Sequence, residues 1–221
     1  MKLKAIIGTV VLFLSMTAFS QATKGKISYD VFVSSDDAAA AGMVSQAEGS
    51  LMELTFMDGK VRSDLFIGQM MTKSTIALQD ADTSLILLDA MFGRIAMKVT
   101  ENDIDEEGRL AYENRQVELI DETKEIMGYQ CKKAIVTVGD ADETIIWYTE
   151  EIVPDYRKNE YLLEEIPGAP LEINTQWRKM DMKYVAYDFK EKLKKVDEIF
   201  STNAPDGFVL RTAEEMKRFG Q

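Results

Sequence analysis

The residues of this 221-residue chain that could perform chemistry are mainly carboxylates, because it contains no histidine and only one cysteine. Without histidine, the Ser-His-Asp and Cys-His arrangements and the two-histidine metal triads are excluded. The serines lack a G-x-S-x-G context, and the glycines form neither G-x-G-x-x-G nor a phosphate-binding loop. We therefore predict a protein that is not an enzyme, with no catalytic residues and no cofactor. The remaining enzymatic alternative requires two facing carboxylates in a cleft, one with a raised pKa.

The acidic stretch 102–108 resembles a calcium loop, because alternating oxygen ligands precede Gly108 and a glutamate follows. A calcium loop needs its bidentate glutamate six positions after the glycine, whereas Glu113 is five positions after Gly108. We expect a solvated acidic connection between strands and no metal site.

Methionine is the most distinctive residue, with 13 in the chain. Its side chain is flexible and polarizable, so a wall lined with methionine adapts to apolar ligands of varied shape. The same residues can also fill an ordinary core, and the sequence leaves both interpretations open. The residues that we expect to line a cavity are Met52, Leu54, Phe56, Met71, Met97, Trp147 and Met182.

The single cysteine, Cys131, excludes an intramolecular disulfide, so the domain must be held together by its core. We expect Cys131 to be a buried apolar side chain, because nothing in the sequence around it indicates a lowered thiol pKa.

Short apolar runs separated by turn residues predict a large antiparallel sheet. The clearest hairpin joins 51–57 to 60–67 through Asp58-Gly59, a pair that suits a two-residue type I′ turn. Two further hairpins join 84–88 to 94–99 and 130–138 to 144–149. The other strand candidates are 26–33, 71–78, 116–120, 171–177 and 180–189.

Helix signals are few. An alanine-rich segment at 38–47 follows two aspartates, and Thr212 with Glu215 forms a capping box before 214–219. The segment 190–199 fits a helix or a continued strand equally well. No Pro- or Gly-rich linker divides the chain after residue 20, so we predict one domain at 21–221.

The first 20 residues have the order of a secretory signal peptide. Lys2 and Lys4 precede an apolar run at 5–14, and small residues at 18 and 20 suit cleavage before Gln21. We therefore predict an exported protein, periplasmic or secreted and not integral to a membrane. The net charge of -12 repels nucleic acid, so no nucleic acid partner is expected.

Three stretches resemble an exported family of unknown function. That family is related to the GLPGLI family and carries the motif IPG-x-PLE where the GLPGLI family carries the motif GLPGLI. They are Gly128-Tyr129-Gln130-Cys131-Lys132-Lys133, then Trp147-Tyr148, then Ile166-Pro167-Gly168-Ala169-Pro170-Leu171-Glu172. The resemblance implies a fold similar to the LolA-type and LppX-type lipoprotein carriers: a mainly β half-barrel closed by short helices over an apolar cavity. It brings no established activity.

The motif residues are Gly128, Tyr129, Cys131, Lys132, Lys133, Trp147, Pro167, Gly168 and Pro170. Pro167 and Pro170 around Gly168 form a rigid turn, which indicates a structural corner or a binding loop.

The hypothesis that follows is an envelope domain that binds a hydrophobic small molecule, a lipid acyl chain or a lipoprotein anchor, in its cavity. The alternative is a structural or interaction module with a filled core, which docks an envelope protein through a sheet edge or its acidic face.

Overall fold

A computed structural model describes residues 21–104, 106–139, 143–177 and 179–219. The predicted signal peptide at 1–20 and the turn at 140–142 lie outside the described residues. The strands are β1 (Gly25–Ser34), β2 (Ser50–Met57), β3 (Lys60–Ile67), β4 (Met71–Leu78), β5 (Thr83–Ala90), β6 (Gly93–Thr100), β7 (Arg115–Ile126), β8 (Tyr129–Val138), β9 (Thr144–Thr149), β10 (Ala169–Trp177), β11 (Met180–Lys190) and β12 (Val209–Arg211).

All twelve strands form one open, curved sheet in the order β12-β6-β5-β4-β3-β2-β1-β11-β10-β9-β8-β7. Two antiparallel meanders, β1–β6 and β7–β11, meet where β1 pairs with β11. The predicted mainly β class and large antiparallel sheet are confirmed. The three-residue β12, which pairs with β6 in parallel, was not predicted.

The predicted hairpins are present. Asp58 and Gly59 have φ angles of 46° and 71°, as a type I′ turn requires, between β2 and β3. β5 and β6 are joined through residues 91–92, and Gly93 is the first residue of β6. β8 and β9 form the third hairpin.

The helices are short: α1 (Ala41–Gln46), α2 (Glu106–Glu113), α3 (Val196–Ile199) and α4 (Ala213–Phe219), with 3₁₀ turns at Ala38–Ala40 and Glu101–Asp103. The capping box is confirmed, because Glu215 accepts from Thr212 N while the Thr212 hydroxyl accepts from Glu215 N. The acidic stretch 102–108 lies in the connection between strands β6 and β7, as expected, but this connection contains a 3₁₀ turn and α2, which were not predicted. No helix in the described ranges is long and apolar enough to cross a bilayer.

The sheet has a hydrophobic cluster on each face. We define the inner face as the face that carries Tyr29, Met52 and Leu65, which lie opposite one another on β1, β2 and β3. This face carries the larger cluster. The outer face carries a smaller one under β4–β6, formed by Ile76, Leu85, Leu87 and Ala96, against which Phe208 packs.

The larger cluster is covered by the irregular connection between β9 and β10, residues 150–168, which we call the covering segment. It contributes Ile152, Tyr161, Leu162 and Ile166 to that cluster. Among the described residues, α1–α4 contribute no member to either cluster. Irregular chain therefore covers this cluster where short helices were expected, although α2 contributes Tyr112 to the wall of the cleft described below.

Candidate apolar cleft under the covering segment

A cleft of about 630 Å³ lies on the inner face between the sheet and the covering segment. Its sheet side is formed by β3, β4 and β8–β11, and its other wall by the covering segment with Tyr112 of α2 and Arg115 of β7. The lining side chains that are apolar or aromatic are Leu65, Ile67, Met71, Tyr112, Val136, Val138, Ile146, Tyr161, Leu163, Ile173, Trp177, Met182 and Tyr184.

Strand alternation explains the apolar floor. Ile146 of β9 pairs with Ile173 of β10, which pairs with Tyr184 of β11, so one row of side chains on the same face crosses three strands. In a neighbouring row, the hydroxyls of Thr144 and Thr175 lie 2.8 Å apart and bond to each other. In this bond one hydroxyl donates and the other accepts, so each of the two polar side chains has a partner in the row.

Ring packing holds the covering segment against the floor, and a hydrogen-bond motif fixes a turn within the segment itself. The rings of Tyr161 and Tyr184 meet edge to face, with centroids 5.8 Å apart. Asn159 Oδ1 accepts from the backbone N–H groups of Tyr161 and Leu162 at 2.9 and 2.7 Å. Burial raises the pKa of both tyrosines, that of Tyr184 to about 12, so both phenols are neutral at physiological pH.

The cations that line the cleft are paired with carboxylates of the covering segment. Lys73 Nζ lies 3.0 Å from the Glu160 carboxylate, and Arg115 lies 2.8 Å from the Glu165 carboxylate. The Arg115 guanidinium also lies 4.0 Å from the centroid of the Tyr112 ring. The charges are thus neutralised, and the floor between them offers mainly dispersion contacts.

Of the seven residues that were predicted to line a cavity, two line this cleft and five lie elsewhere. Met71 and Met182 line the cleft. The fully buried side chains Met52, Leu54 and Phe56 belong to the packed inner cluster, and the half-buried Met97 lies on β6, outside the lining.

Trp147, the seventh, follows Ile146 in β9, so alternation directs it to the opposite face. There the ammonium of Lys124 lies 4.3 Å from its ring centroid.

The family-motif residues occupy a turn, a buried position and ion pairs at the surface. Gly128 has a φ of 82° in the turn between β7 and β8, and Cys131 is fully buried. Lys132 pairs with Glu150, and Lys133 pairs with Glu122.

The Pro167-to-Pro170 stretch is built as a corner into β10. A Cβ at Gly168 would collide with the backbone of Thr149, so the chain passes too close there for any side chain. Ala169 N donates to Ile152 O at 2.8 Å, and the Tyr29 hydroxyl donates to Pro170 O at 2.7 Å. These contacts favour the structural corner over the binding loop.

Comparison with known proteins gives one family match. Residues 54–154 match the family described as "N-glycanase peptide, N-terminal domain". No curated protein matches this sequence significantly. The resemblance to the relative of the GLPGLI family stays a prediction from the motifs.

Among solved structures, PNGF-II is similar with a TM-score of 0.54 and 14% identity, covering 90% of this chain and 33% of PNGF-II. The fold is therefore shared with PNGF-II, and this chain spans about a third of that protein's length. Lipoprotein LppX of Mycobacterium tuberculosis has a TM-score of 0.34 at 7% identity, with 76% of this chain and 88% of LppX covered. A LolA superfamily protein of Nitrosomonas europaea has a TM-score of 0.26 at 10% identity, with 81% and 90% covered.

Proposed function

We propose that this protein is an exported, non-enzymatic domain that binds a lipid acyl chain, or an elongated apolar ligand like it, in the cleft under the covering segment. The observation that carries the proposal is the cleft itself, with its apolar floor and a volume of about 630 Å³. That volume lies within the range of roughly 300–1,000 Å³ that is usual for small-molecule sites.

The chemistry of the lining supports an apolar ligand. Each long cation at the cleft already has a carboxylate partner from the covering segment, so an anionic ligand would have to displace Glu160 or Glu165. Met71 of β4 and Met182 of β11 both line the cleft, and their unbranched side chains accommodate ligands of varied shape.

Native mass spectrometry of the protein purified from its own host, followed by organic extraction and lipid analysis, tests occupancy. We expect a co-purifying acyl-chain lipid at one copy per protein. A protein that is free of ligand after gentle handling, and that also fails to bind added palmitate, would overturn the proposal.

A blocking variant locates the ligand. Met71→Trp places a larger side chain in the cleft, and we expect it to weaken palmitate binding at least tenfold. Met91→Trp adds the same ring at a position that is 93% exposed and outside the cleft, so it should leave binding unchanged. Equal binding by the two variants would place the palmitate elsewhere.

The second candidate function is that of an interaction module, and the family match favours it. The matched family is named as an N-terminal domain, and PNGF-II carries the shared fold within a chain about three times as long. On the outer face, Phe32 is 58% exposed and Leu51 38% exposed, which offers apolar contacts to a partner protein. Crosslinking in the host with a photoreactive residue at position 32 tests this candidate: one specific protein adduct would support it, and no adduct would count against it.

A further inference from the structure

A second and larger cleft, of about 880 Å³, lies on the inner face over β4–β6, on the far side of residues 155–158 of the covering segment. It shares no lining residue with the apolar cleft. Its walls carry hydroxyl, amide and charged groups, among them Thr75, Ser84, Asn102, Asp103, Tyr156 and Arg157.

Two polar atoms in this wall lack partners. Within the described ranges, Thr75 Oγ1 and Arg157 Nε are the buried side-chain oxygen and nitrogen atoms without a hydrogen bond, and both residues line this cleft. Arg157 Nη1 donates to Pro154 O at 3.2 Å, which holds one end of the guanidinium and leaves the Nε–H unused. Buried polar groups are nearly always satisfied in folded proteins, so an unpaired donor and an unpaired hydroxyl at one cleft point to a ligand.

The charges of the wall exclude an anion as the preferred ligand. Four carboxylates, Asp82, Asp103, Asp155 and Glu164, line the cleft against two cations, Arg157 and Lys158. A phosphate or carboxylate at Arg157 would therefore enter a site of net negative charge.

A metal ion does not fit either. In the part of the chain that the structure describes, no group of three or more histidine, cysteine, aspartate or glutamate side chains is placed to hold one.

A neutral ligand with several hydroxyl groups can pair with the two unpaired atoms and is not repelled by the net negative charge of the cleft. Its hydroxyls donate to carboxylates and accept from an arginine N–H without carrying charge. The ring of Tyr156 and the side chains of Ile86 and Val99, which also line the cleft, suit the C–H faces of a sugar.

We propose that this polar cleft binds a neutral saccharide, with the Arg157 Nε–H group and the Thr75 hydroxyl as ligand contacts. Both atoms are covered by neighbouring protein atoms, so binding includes rotation of these two side chains toward the sugar.

The test is a titration of ¹⁵N-labelled protein that follows the Nε–H resonance of Arg157. The probes are maltose, cellobiose and N,N′-diacetylchitobiose, with inorganic phosphate as the anionic comparison. We expect a saturable shift with at least one disaccharide and none with phosphate. No saturable shift with any of the three sugars, or a larger effect from phosphate, would overturn the proposal.

Three variants assign the shift to this cleft, each first shown to be folded by its amide spectrum. Thr75→Val and Arg157→Lys should each weaken binding about tenfold, the value of one or two lost hydrogen bonds, as followed by the amide resonances of β4–β6. Thr72→Val makes the same replacement on β4 but on the opposite face, and should bind like the unaltered protein. Unchanged affinity in both cleft variants would also overturn the proposal.

Discussion

Arg115 on the edge strand β7 and Glu165 in the covering segment, 50 positions apart, form a two-pronged ion pair. Both Nε and Nη2 of Arg115 donate to Glu165 Oε1, at 3.0 and 2.8 Å, and Nη2 also reaches Oε2 at 2.8 Å. The Arg115 side chain is only 9% exposed. The pair joins the last strand of the sheet to the segment that covers the apolar cleft.

Removing this pair should loosen the covering segment. Arg115→Ala is expected to lower the free energy of unfolding by about 1 kcal/mol, a value limited by the half-exposed Glu165. Because the covering segment then opens more often, hydrogen exchange at 159–166 should accelerate more than exchange in β2 and β3. Hydrogen exchange followed by mass spectrometry measures the exchange rates of both regions.

Arg109→Ala provides the matched control. Arg109 forms an exposed i,i+4 pair with Glu113 in the neighbouring α2, and its loss should change neither stability nor exchange measurably. If the two alanine variants exchange alike, the Arg115 pair does not hold the covering segment.

Gly168 and Gly42 should respond in opposite ways to the same added methyl group. Gly168→Ala would drive its Cβ into the backbone of Thr149, which cannot move without breaking the β9–β10 pairing, so we expect a loss of at least 3 kcal/mol. Gly42 lies in α1 with nothing within 4 Å of an added Cβ, so Gly42→Ala should stabilise by about 0.5–1 kcal/mol. Urea denaturation measures both, and a tolerated Gly168→Ala would contradict the structural corner.

Glu172 makes the protein sensitive to acid. Burial acts to raise the pKa of its carboxyl group, but hydrogen bonds from Asn174 and Lys124 and the charges of Lys124 and Lys183 outweigh burial and leave the pKa lowered. Because the folded pKa lies below the unfolded value of about 4.3, the stabilisation is complete above roughly pH 5 and is lost as the pH falls through the folded pKa.

Glu172→Gln removes this dependence. We expect the variant to be about 1–2 kcal/mol less stable at pH 7 and the difference to shrink toward pH 3, as measured by urea unfolding at each pH. Glu118→Gln, at an exposed position of β7, serves as the control and should follow the unaltered protein. A difference that stays constant from pH 7 to pH 3 would contradict a charge-dependent role for Glu172.

Local signals explain why most of the sheet could be predicted. The Asp58-Gly59 turn is encoded by two residues that tolerate positive φ, and the strands beside it alternate clearly. Helix α2 was not predicted, because five of its eight residues are charged or glycine and its sequence lacks the apolar stripe that indicates a helix. β12 has only three residues, and its parallel partner β6 lies more than 100 positions earlier.

The cleft could be predicted only in part, because two features that form it cannot be read from the spacing of apolar residues in the sequence. The covering segment is irregular, so nothing in the spacing of Tyr161 or Leu163 shows that they face the sheet. The two faces of one sheet also carry separate clusters, so a strand's alternation reveals two sides without showing which one bears the cleft. Methionine content therefore pointed to the core at Met52 as readily as to the cleft at Met182.

The thiol of Cys131 should not react with disulfide reagents until the protein unfolds. Its side chain is fully buried in the inner cluster, and burial raises the thiol pKa to about 11. At pH 8 only about one thiol in a thousand would then be ionised, and the reactive species is the thiolate. We expect no reaction with a disulfide reagent such as DTNB over an hour in buffer, and one thiol per chain in 6 M guanidinium. Because labelling then requires opening of the cluster, its rate should rise in the destabilised Gly168→Ala variant and should not rise in the stabilised Gly42→Ala variant. Rapid labelling of the unaltered folded protein would instead show an accessible thiol and contradict the burial of β8.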